Sequence, residues 1–456
     1  MFPVDGRVFG FVYGLVGLAA VIAIALLMPP HMNPDEGAHF NRAYQIGHGG
    51  IIAQRLSERL AGGKVDRAIN ESNYAMRDIP GRPQNKVTEA MIDEAEVATW
   101  GKDMSREAFA NTAVYPPFFY LPSTVGILIG RGLDLSIVST LYLSRALTGV
   151  VAVAIGSVAL TLAGSAAPWL FAVLMLPTAL SLSASVSQEA LMHGFAALAC
   201  AFAVRLFSGN GSSRVNLYGA ALSLALVVMA RPPLIGLALV PLAASRLSWR
   251  ERLIGTAIIV VGTAAWLLLT SRAFVHPRLA LDSSANPAEF GTAGQIDFMF
   301  THPIATASAF IKTVQLYGVS VYDAFVGELG WSDVLFPSWY YTLATAMLAV
   351  AFLASLPLQD GVRLFGAAVI LLGVFGAGVA IYVAQYVAWS PIGSDIMHGV
   401  QGRYFVVPAL FLGLLGPGLR FPTILRVPLA LATLAFPIVV TLPLMIRVIA
   451  HRYFMS

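Results

Sequence analysis

Long runs of apolar residues alternate with short polar connections along most of the chain. A membrane-spanning helix needs about 20 predominantly apolar residues, so this pattern predicts an all-α polytopic membrane protein. Several apolar runs are shorter, which is typical of helices that end in a cavity lined by protein and water. The pattern predicts about eleven spans, at residues 8–28, near 145 to 162, 168–183, 189–207, 215–230, 232–244, 253–270, 338–356, 364–389, 400–415 and 425–446.

Two long polar stretches interrupt the apolar pattern, at residues 29 to about 111 and 271–337; with the segment that follows it, the first forms a loop at residues 29–144. Both are too long to be simple connections between packed helices, and long loops of this kind are usually functional. Their composition predicts short helices at residues 35–45 and 88–99, a turn at 79–84, and helices lying in the membrane interface at 115–133 and 302–317.

The distribution of basic residues predicts the orientation of the chain. If residues 115–133 lie in the interface, the basic turns share one side with Arg7, as the positive-inside rule requires of the cytoplasmic side. Both polar stretches then form large outer loops of a single integral membrane domain, residues 1–456. The basic turns contain Arg205, Arg214, Arg246, Arg250, Arg252, Arg363, Arg420 and Arg426.

Composition excludes several classes of protein. The chain is 57% hydrophobic and only 11% charged, whereas soluble domains carry roughly 25% charged residues. The single cysteine, Cys200, lies in an apolar run, which excludes a disulfide framework and a thiolate metal site. Basic loops at the membrane surface account for the net charge of +4, so no nucleic-acid partner is predicted. The first apolar run has no signal-peptide cleavage site and is expected to remain as a span.

Candidate chemistry begins directly after the first apolar run. Asp35 and Glu36 follow Pro34, where the first turn of a helix offers unpaired N–H groups. In a helix, Asp35, His39 and Arg42 are spaced i, i+4 and i+7, so they would share one face and could converge on one ligand. The alternative is an interfacial helix with ordinary charged residues.

Further polar residues fall near the outer ends of the predicted spans. Charges at membrane depth are costly and are commonly functional when they face a cavity, although snorkelling to the interface is the alternative. Arginine suits phosphate because its guanidinium presents a fixed fork of donors. No ligand spacing indicates a metal site, and a bound divalent ion remains open. The residues concerned are Arg145, Gln188, Glu189, Arg231, Glu328, Asp395, Gln401, Arg403 and Tyr404.

Five motifs together resemble a known superfamily. They are Pro34-Asp35-Glu36-x-x-His39-Phe40-x-Arg42-Ala43-Tyr44-Gln45, Tyr115-Pro116-Pro117, Ser185-Val186-Ser187-Gln188-Glu189, Ala230-Arg231-Pro232-Pro233 and Gly399-Val400-Gln401-Gly402-Arg403-Tyr404. With the long loop after the first span, they resemble the GT-C superfamily of polyprenyl-phosphate-dependent glycosyltransferases, and more closely one bacterial domain-of-unknown-function family within it.

The resemblance implies inverting transfer of a sugar from a polyprenyl-phosphate donor to a glycan, lipid or protein acceptor, at the periplasmic face of the bacterial inner membrane. Asp35 takes the position of the general base and Glu36 that of its acidic neighbour. The superfamily pattern usually has Asp at the position of Glu189 and often Lys at that of Arg231; the charge is the same in both cases.

The residue chemistry agrees with this reading. Inversion needs a carboxylate to accept the acceptor hydroxyl proton, and the leaving phosphate needs cations. We therefore predict Arg145, Arg231 and Arg403 as phosphate ligands. The predicted substrate-binding residues are His39, Arg42, Tyr115, Gln188, Glu189, Glu328, Asp395, Gln401 and Tyr404.

Two alternatives remain at the level of sequence. A transporter or flippase of lipid-linked saccharides would also need an outer cavity with arginines, and a non-catalytic scaffold of a polysaccharide assembly complex would also lie in the membrane. No internal repeat supports a transporter, and the two long loops on one side suit acceptor binding better.

Overall fold

The computed structural model describes residues 5–101, 103–209, 211–355, 364–416 and 423–455, and these are mostly helical. The predicted span end at residue 356 and the basic residues Arg363 and Arg420 lie outside the described residues. The helices are α1 Gly6–Leu27, α2 Glu36–Gly47, α3 Ala68–Tyr74, α4 Glu89–Val97, α5 Leu121–Gly132, α6 Ile137–Leu162, α7 Ala167–Leu174, α8 Pro177–Ser183, α9 Gln188–Ser208, α10 Ser213–Ala230, α11 Trp249–Thr270, α12 Pro277–Leu281, α13 Thr292–Thr301, α14 Pro303–Gly327, α15 Ser338–Ser355, α16 Leu364–Trp389, α17 Val406–Leu412 and α18 Ile424–Tyr453.

Within the described residues, eight helices are long and apolar enough to cross a membrane, or nine if the bent pair α7 and α8 forms one span. This confirms a polytopic, predominantly helical membrane protein, while the predicted count of eleven is not confirmed. Two predicted spans form shorter helical segments, the 3₁₀ helix Pro232–Ala243 and the combined segment Gly402–Leu412. Pro241 lies inside the first of these segments and removes one backbone hydrogen bond, because proline has no N–H to donate.

The span predicted at residues 168–183 consists of two short helices, α7 and α8, and not of one continuous helix. The chain bends by 80° between α7 and α8, where Leu176 adopts an extended conformation immediately before Pro177. A residue that precedes proline is disfavoured in the helical region, because the proline ring clashes with its backbone. The break lies in the buried centre of the protein, where other elements can satisfy the freed backbone groups.

Two helix boundaries differ from the sequence predictions by eight residues or more. Helix α6 begins at Ile137, two turns before the start predicted near Arg145, because the Ser136 hydroxyl caps it by accepting from the backbone N–H of Ser139. Helix α14 runs from Pro303 to Gly327 and therefore ends ten residues beyond the helix predicted at 302–317.

The first loop contains both predicted short helices, α2 and α4, and a small sheet that the all-α prediction missed. Strands β1 Gln54–Arg55, β2 Ala61–Asp66 and β3 Met104–Ala108 pair antiparallel in the order β1-β2-β3. Gly62 and Gly63 allow this packing: a Cβ at Gly63 would lie 2.2 Å from the side-chain nitrogen of Gln45, so the sheet lies directly against α2. The second loop ends in the hairpin of strands β4 Glu328–Leu329 and β5 Val334–Leu335.

Different segments meet at the two ends of the helical bundle. The start of α1 packs against the C-terminal end of α6, where a Cβ at Gly6 would lie 2.6 Å from the Leu160 carbonyl oxygen. At the opposite end, the C-terminal end of α18 contacts the first loop. The Lys86 ammonium donates a hydrogen bond to the His451 carbonyl oxygen there, at 2.8 Å. We call the end that carries both loops the loop end.

Candidate functional site

A cavity of about 840 Å³ opens at the loop end of the bundle. Aliphatic and aromatic residues of α11, α16 and the second loop form much of its wall, among them Leu267, Phe274, Val275, Leu281, Ile381 and Trp389. Most of the polar residues that the sequence singled out form the rest: Asp35, His39, Tyr115, Gln188, Glu189, Arg231, Gln401, Arg403 and Tyr404. An apolar cavity with a few convergent polar groups is the usual form of a ligand site.

Asp35 presents a carboxylate to this cavity from the start of α2. Its φ of 58° is left-handed, which is uncommon for residues other than glycine and is best tolerated by Asp and Asn. The side chain does not cap its own helix. Its Oδ1 accepts from Asn111 Nδ2 at 3.0 Å, and Oδ2 accepts from Arg403 Nη2 at 3.1 Å. The side chain is 30% exposed, so the carboxylate remains accessible.

Asp35 is the first member of an alternating row of charges. Arg403 Nη1 lies 3.5 Å from Glu189 Oε2, and Glu189 Oε1 accepts from Arg231 Nη2 at 2.6 Å. The ring of Tyr404 lies 4.2 Å from the Arg231 guanidinium, which is held against its face. Arg231 is placed at the cavity because α10 ends immediately before it, at the proline pair 232–233.

Both arginines keep donors that no described residue uses. Arg231 Nη1 and Arg403 Nε are buried and have no hydrogen-bond partner within the described residues. Buried donors are nearly always paired, so unpaired ones at a cavity indicate a missing acceptor. Arginine forms its strongest hydrogen bonds with carboxylates and phosphates, so this pair favours an anionic ligand.

His39 forms a second polar group beside Asp35. Its Nδ1 lies 2.7 Å from the Tyr120 hydroxyl, which donates to Gln188 Oε1 at 3.4 Å, and its ring stacks on Tyr115. Burial lowers the pKa of His39 to about 4, although the Asp35 charge acts in the opposite direction. Burial also raises the pKa of Tyr115 to about 12. Both side chains are therefore neutral at pH 7 and act as hydrogen-bonding groups.

The buried neutral state of His39 predicts a pH-dependent stability. The unfolded chain protonates this histidine near pH 6.5, whereas the folded protein does so only near pH 4. Stability is therefore fully present above pH 6.5 and is lost as the pH falls towards 4. Thermal unfolding followed from pH 7.5 to 4.5 should show this loss in the wild type and a smaller loss in His39→Gln. Identical pH profiles would contradict the assignment. His31, whose pKa burial also lowers to about 4, contributes to the slope that remains in the variant.

A smaller cavity of about 120 Å³ also borders Asp35 and Arg403. Glu328 lines this cavity and not the large one, whereas Gln401 and Trp331 line both. Asp35 therefore borders both cavities.

Glu36 and Arg145 do not line the cavity, contrary to the sequence prediction. They form a fully buried ion pair, with 2.5 Å between Arg145 Nη2 and Glu36 Oε2. Arg145 also donates to the carbonyl oxygens of Ala25 and Met28, at the end of α1. Glu36 accepts the backbone N–H of Val186 as well. Every donor of this guanidinium is used, so the pair ties four segments together and is closed to a ligand.

Burial alone would raise the pKa of Glu36, but the Arg145 charge outweighs it and holds the pKa below its usual range. Glu36 is therefore ionised at neutral pH, and the pair with Arg145 is a true ion pair.

Arg42 and Asp395 also lie away from the cavity. Arg42 is fully buried and donates to Gln45, to the Gly50 carbonyl and to the Ile51 carbonyl. The shared face predicted for Asp35 and Arg42 fails because Asp35 precedes the helix in a left-handed conformation. Asp395 is exposed and pairs with Lys312 of α14.

Sequence reasoning missed several residues of the site. Asn111 and Trp331 reach Asp35 and its neighbours from the two loops, and Gln385 lines the cavity from α16. No spacing or charge pattern marks these residues, because loop conformation brings them to the cavity. Within the described residues, no group of three or more His, Cys, Asp or Glu side chains could hold a metal ion.

A family model described as "Predicted membrane protein (DUF2142)" matches residues 18–412, and the chain belongs to this family. No curated protein and no solved structure matches the chain. The match includes all five sequence motifs and every residue of the row from Asp35 to Arg231.

Proposed function

We propose that this member of the family is a GT-C-type glycosyltransferase, which moves a sugar from a polyprenyl-phosphate carrier to an acceptor in the periplasm. The observation that carries the proposal is one cavity at the loop end that combines a partly exposed carboxylate, two arginines with unused donors and a largely apolar wall. Each feature corresponds to one part of the substrate pair: an acceptor hydroxyl, a phosphate and an isoprenoid chain.

Asp35 is the general base in this proposal. Its carboxylate takes the proton of the acceptor hydroxyl as the acceptor oxygen bonds to C1 of the sugar. The bond between C1 and the phosphate oxygen breaks at the same time, and the polyprenyl phosphate leaves. Attack from the face opposite the phosphate inverts the configuration at C1. Asp35 borders two cavities, which supports separate sites for the donor and the acceptor next to this carboxylate.

Arg231 and Arg403 stabilise the leaving phosphate in this proposal. A sugar phosphodiester carries one negative charge, and its phosphate gains a second when the C1–O bond breaks. Cationic donors placed where charge develops lower the barrier to such a step. Glu189 holds both guanidiniums in place and offsets part of their charge before the donor binds.

We further propose that the loop end faces the periplasm of a bacterial inner membrane. If the bent pair and the two shorter segments, Pro232–Ala243 and Gly402–Leu412, each count as one pass, the chain crosses eleven times. The basic connections that contain Arg205, Arg214, Arg246 and Arg250 then lie opposite the loop end, as the positive-inside rule requires.

The proposal is tested with purified protein in lipid nanodiscs and a panel of polyprenyl-phosphate sugars, with donor consumption followed by mass spectrometry. The wild type should consume at least one donor. A donor that binds and raises the melting temperature, yet is not consumed, would instead support the transporter or the scaffold.

Loss of either cavity arginine should weaken catalysis. We expect Arg403→Gln and Arg231→Gln each to lower kcat/KM for the donor by roughly tenfold or more, because each removes charge-assisted hydrogen bonds to the phosphate. Lysine should restore only part of the loss, since it lacks the planar fork of donors. Because both residues contact Glu189, the two effects should not be additive.

The matched control for these variants is Arg272→Gln, an exposed arginine near the same end that does not line the cavity. It should retain wild-type kcat/KM. Unchanged kinetics in Arg231→Gln or Arg403→Gln, with the fold intact by thermal unfolding, would remove that arginine from the donor site.

A further inference from the structure

A third concave surface lies at the loop end, beside the small cavity. The last turns of α18 and the β4–β5 hairpin enclose a groove of about 790 Å³. Four basic residues line it, against one acidic residue: Lys86, Arg447, His451, Arg452 and Asp333. Arg452 and Asp333 form a buried ion pair with 2.5 Å between Nη2 and Oδ2, so they neutralise each other.

The groove therefore carries unbalanced positive charge. Lys86 donates only to the carbonyl oxygens of His451 and Arg452 and keeps its full charge. Arg447 and His451 are exposed, and no ion pair or side-chain hydrogen bond with another described residue holds either one. These side chains are free to contact an anion.

One face of α18 contributes both apolar and polar side chains to the same groove. Leu444, Arg447, Val448 and His451 follow the i, i+3, i+4, i+7 spacing and so lie on one face of α18. Leu444 is furthest from the helix end, and His451 is nearest to it. Trp339, next to the hairpin, also lines the groove. The apolar side chains of Leu444 and Val448, together with the positive charges of Lys86 and Arg447, match an amphiphile with an anionic headgroup.

One residue connects the groove to the candidate catalytic carboxylate. Trp331 lines the groove, the small cavity and the large cavity, and Ser332 lines the groove and the small cavity. The indole of Trp331 is held by a hydrogen bond to the His31 carbonyl oxygen at 3.3 Å. The small cavity leads from there to Asp35 and Arg403.

We infer that this groove binds the sugar acceptor, and that the acceptor is a lipid whose headgroup carries both a phosphate and a free hydroxyl. The phosphate contacts Arg447 and His451, and the acyl chain lies along Leu444 and Val448. The hydroxyl reaches Asp35 through the small cavity, past Trp331, and gives up its proton there. The acceptor role rests on the proposed function, whereas lipid binding in the groove can be measured without a donor.

Thiol labelling at the junction tests the inference. The single native cysteine, Cys200, is fully buried, so Ser332→Cys introduces one accessible thiol between the groove and the small cavity. Soluble dihexanoyl-phosphatidylglycerol is the probe, because it carries a phosphate and hydroxyls. It should slow maleimide labelling of this variant. Dihexanoyl-phosphatidylcholine, whose headgroup has no net charge, and inorganic phosphate should not. Labelling of Ser283→Cys, at an exposed site outside the groove, should be unaffected.

Arg447→Gln in the Ser332→Cys background should raise the phosphatidylglycerol concentration for half-maximal protection about tenfold, because it removes charge-assisted hydrogen bonds. Arg272→Gln should leave that concentration unchanged. Equal protection by inorganic phosphate or by phosphatidylcholine, or no effect of Arg447→Gln, would overturn the inference. Failure of the proposed function would appear separately, as wild-type protein that consumes no sugar donor, since the labelling assay contains none.

Discussion

Asp35→Asn is expected to abolish sugar transfer while the protein stays folded. General-base catalysis contributes about 10²–10⁴-fold to a rate, so donor consumption should fall at least about 10²-fold. Asparagine is the appropriate replacement because it tolerates the left-handed conformation at this position and can still accept the hydrogen bond from Asn111. It cannot accept the hydroxyl proton, so the chemical step is lost.

The readout is consumption of the donor by mass spectrometry at equal amounts of folded protein. Asp93→Asn, the same change at an exposed position in α4 of the same loop, is the matched control and should remain fully active. Because the Asp35 side chain is partly exposed, the melting temperature of the Asp35→Asn variant should be close to that of the wild type. Full activity in Asp35→Asn would refute its role as the base and with it the proposed mechanism.

Glu36→Gln is expected to lower the stability of the folded protein without removing a group that takes part in sugar transfer. Breaking a buried ion pair leaves an uncompensated charge and typically costs about 3–5 kcal/mol. Here the charge would be Arg145, which is completely buried and also holds the end of α1. We therefore expect a large drop in melting temperature and in the yield of folded protein.

A double-mutant cycle distinguishes this from a catalytic effect. Arg145→Gln should be about as damaging as Glu36→Gln, and the double variant should be less destabilised than the sum of the two. The exposed pair Asp78–Arg82 of the same loop supplies the control, since Asp78→Asn should have little effect on stability. If Glu36→Gln has wild-type stability yet loses donor consumption as completely as Asp35→Asn, Glu36 acts in the chemistry after all.

Two adjacent acidic residues of the first motif have different environments in the folded protein. Asp35 and Glu36 are neighbours with the same charge, so their charge and their position in the sequence do not show which of them faces the cavity. The left-handed backbone at Asp35 turns its side chain to the cavity, whereas Glu36 begins the helix and points into the protein. That division depends on the partners, Arg403 and Arg145, which come from distant parts of the chain.

The hydropathy pattern by itself determined the class of the protein and most of its long helices, because a span must satisfy its backbone internally and present apolar side chains to lipid. Both requirements are local. Two proline-containing segments, residues 168–183 and 232–244, do not form the long continuous helices that the pattern predicted. Whether a proline breaks a helix depends on how the surrounding residues satisfy the freed backbone groups.

Only the tertiary structure decided which polar residues share a cavity. Asp35 and Arg403 are 368 positions apart, and Glu36 and Arg145 are 109 apart. Charge and motif mark all four residues, yet they cannot distinguish a cavity arginine with unused donors from a buried one whose donors are all paired. That distinction arises from desolvation and hydrogen bonding in the packed protein, which no local pattern encodes.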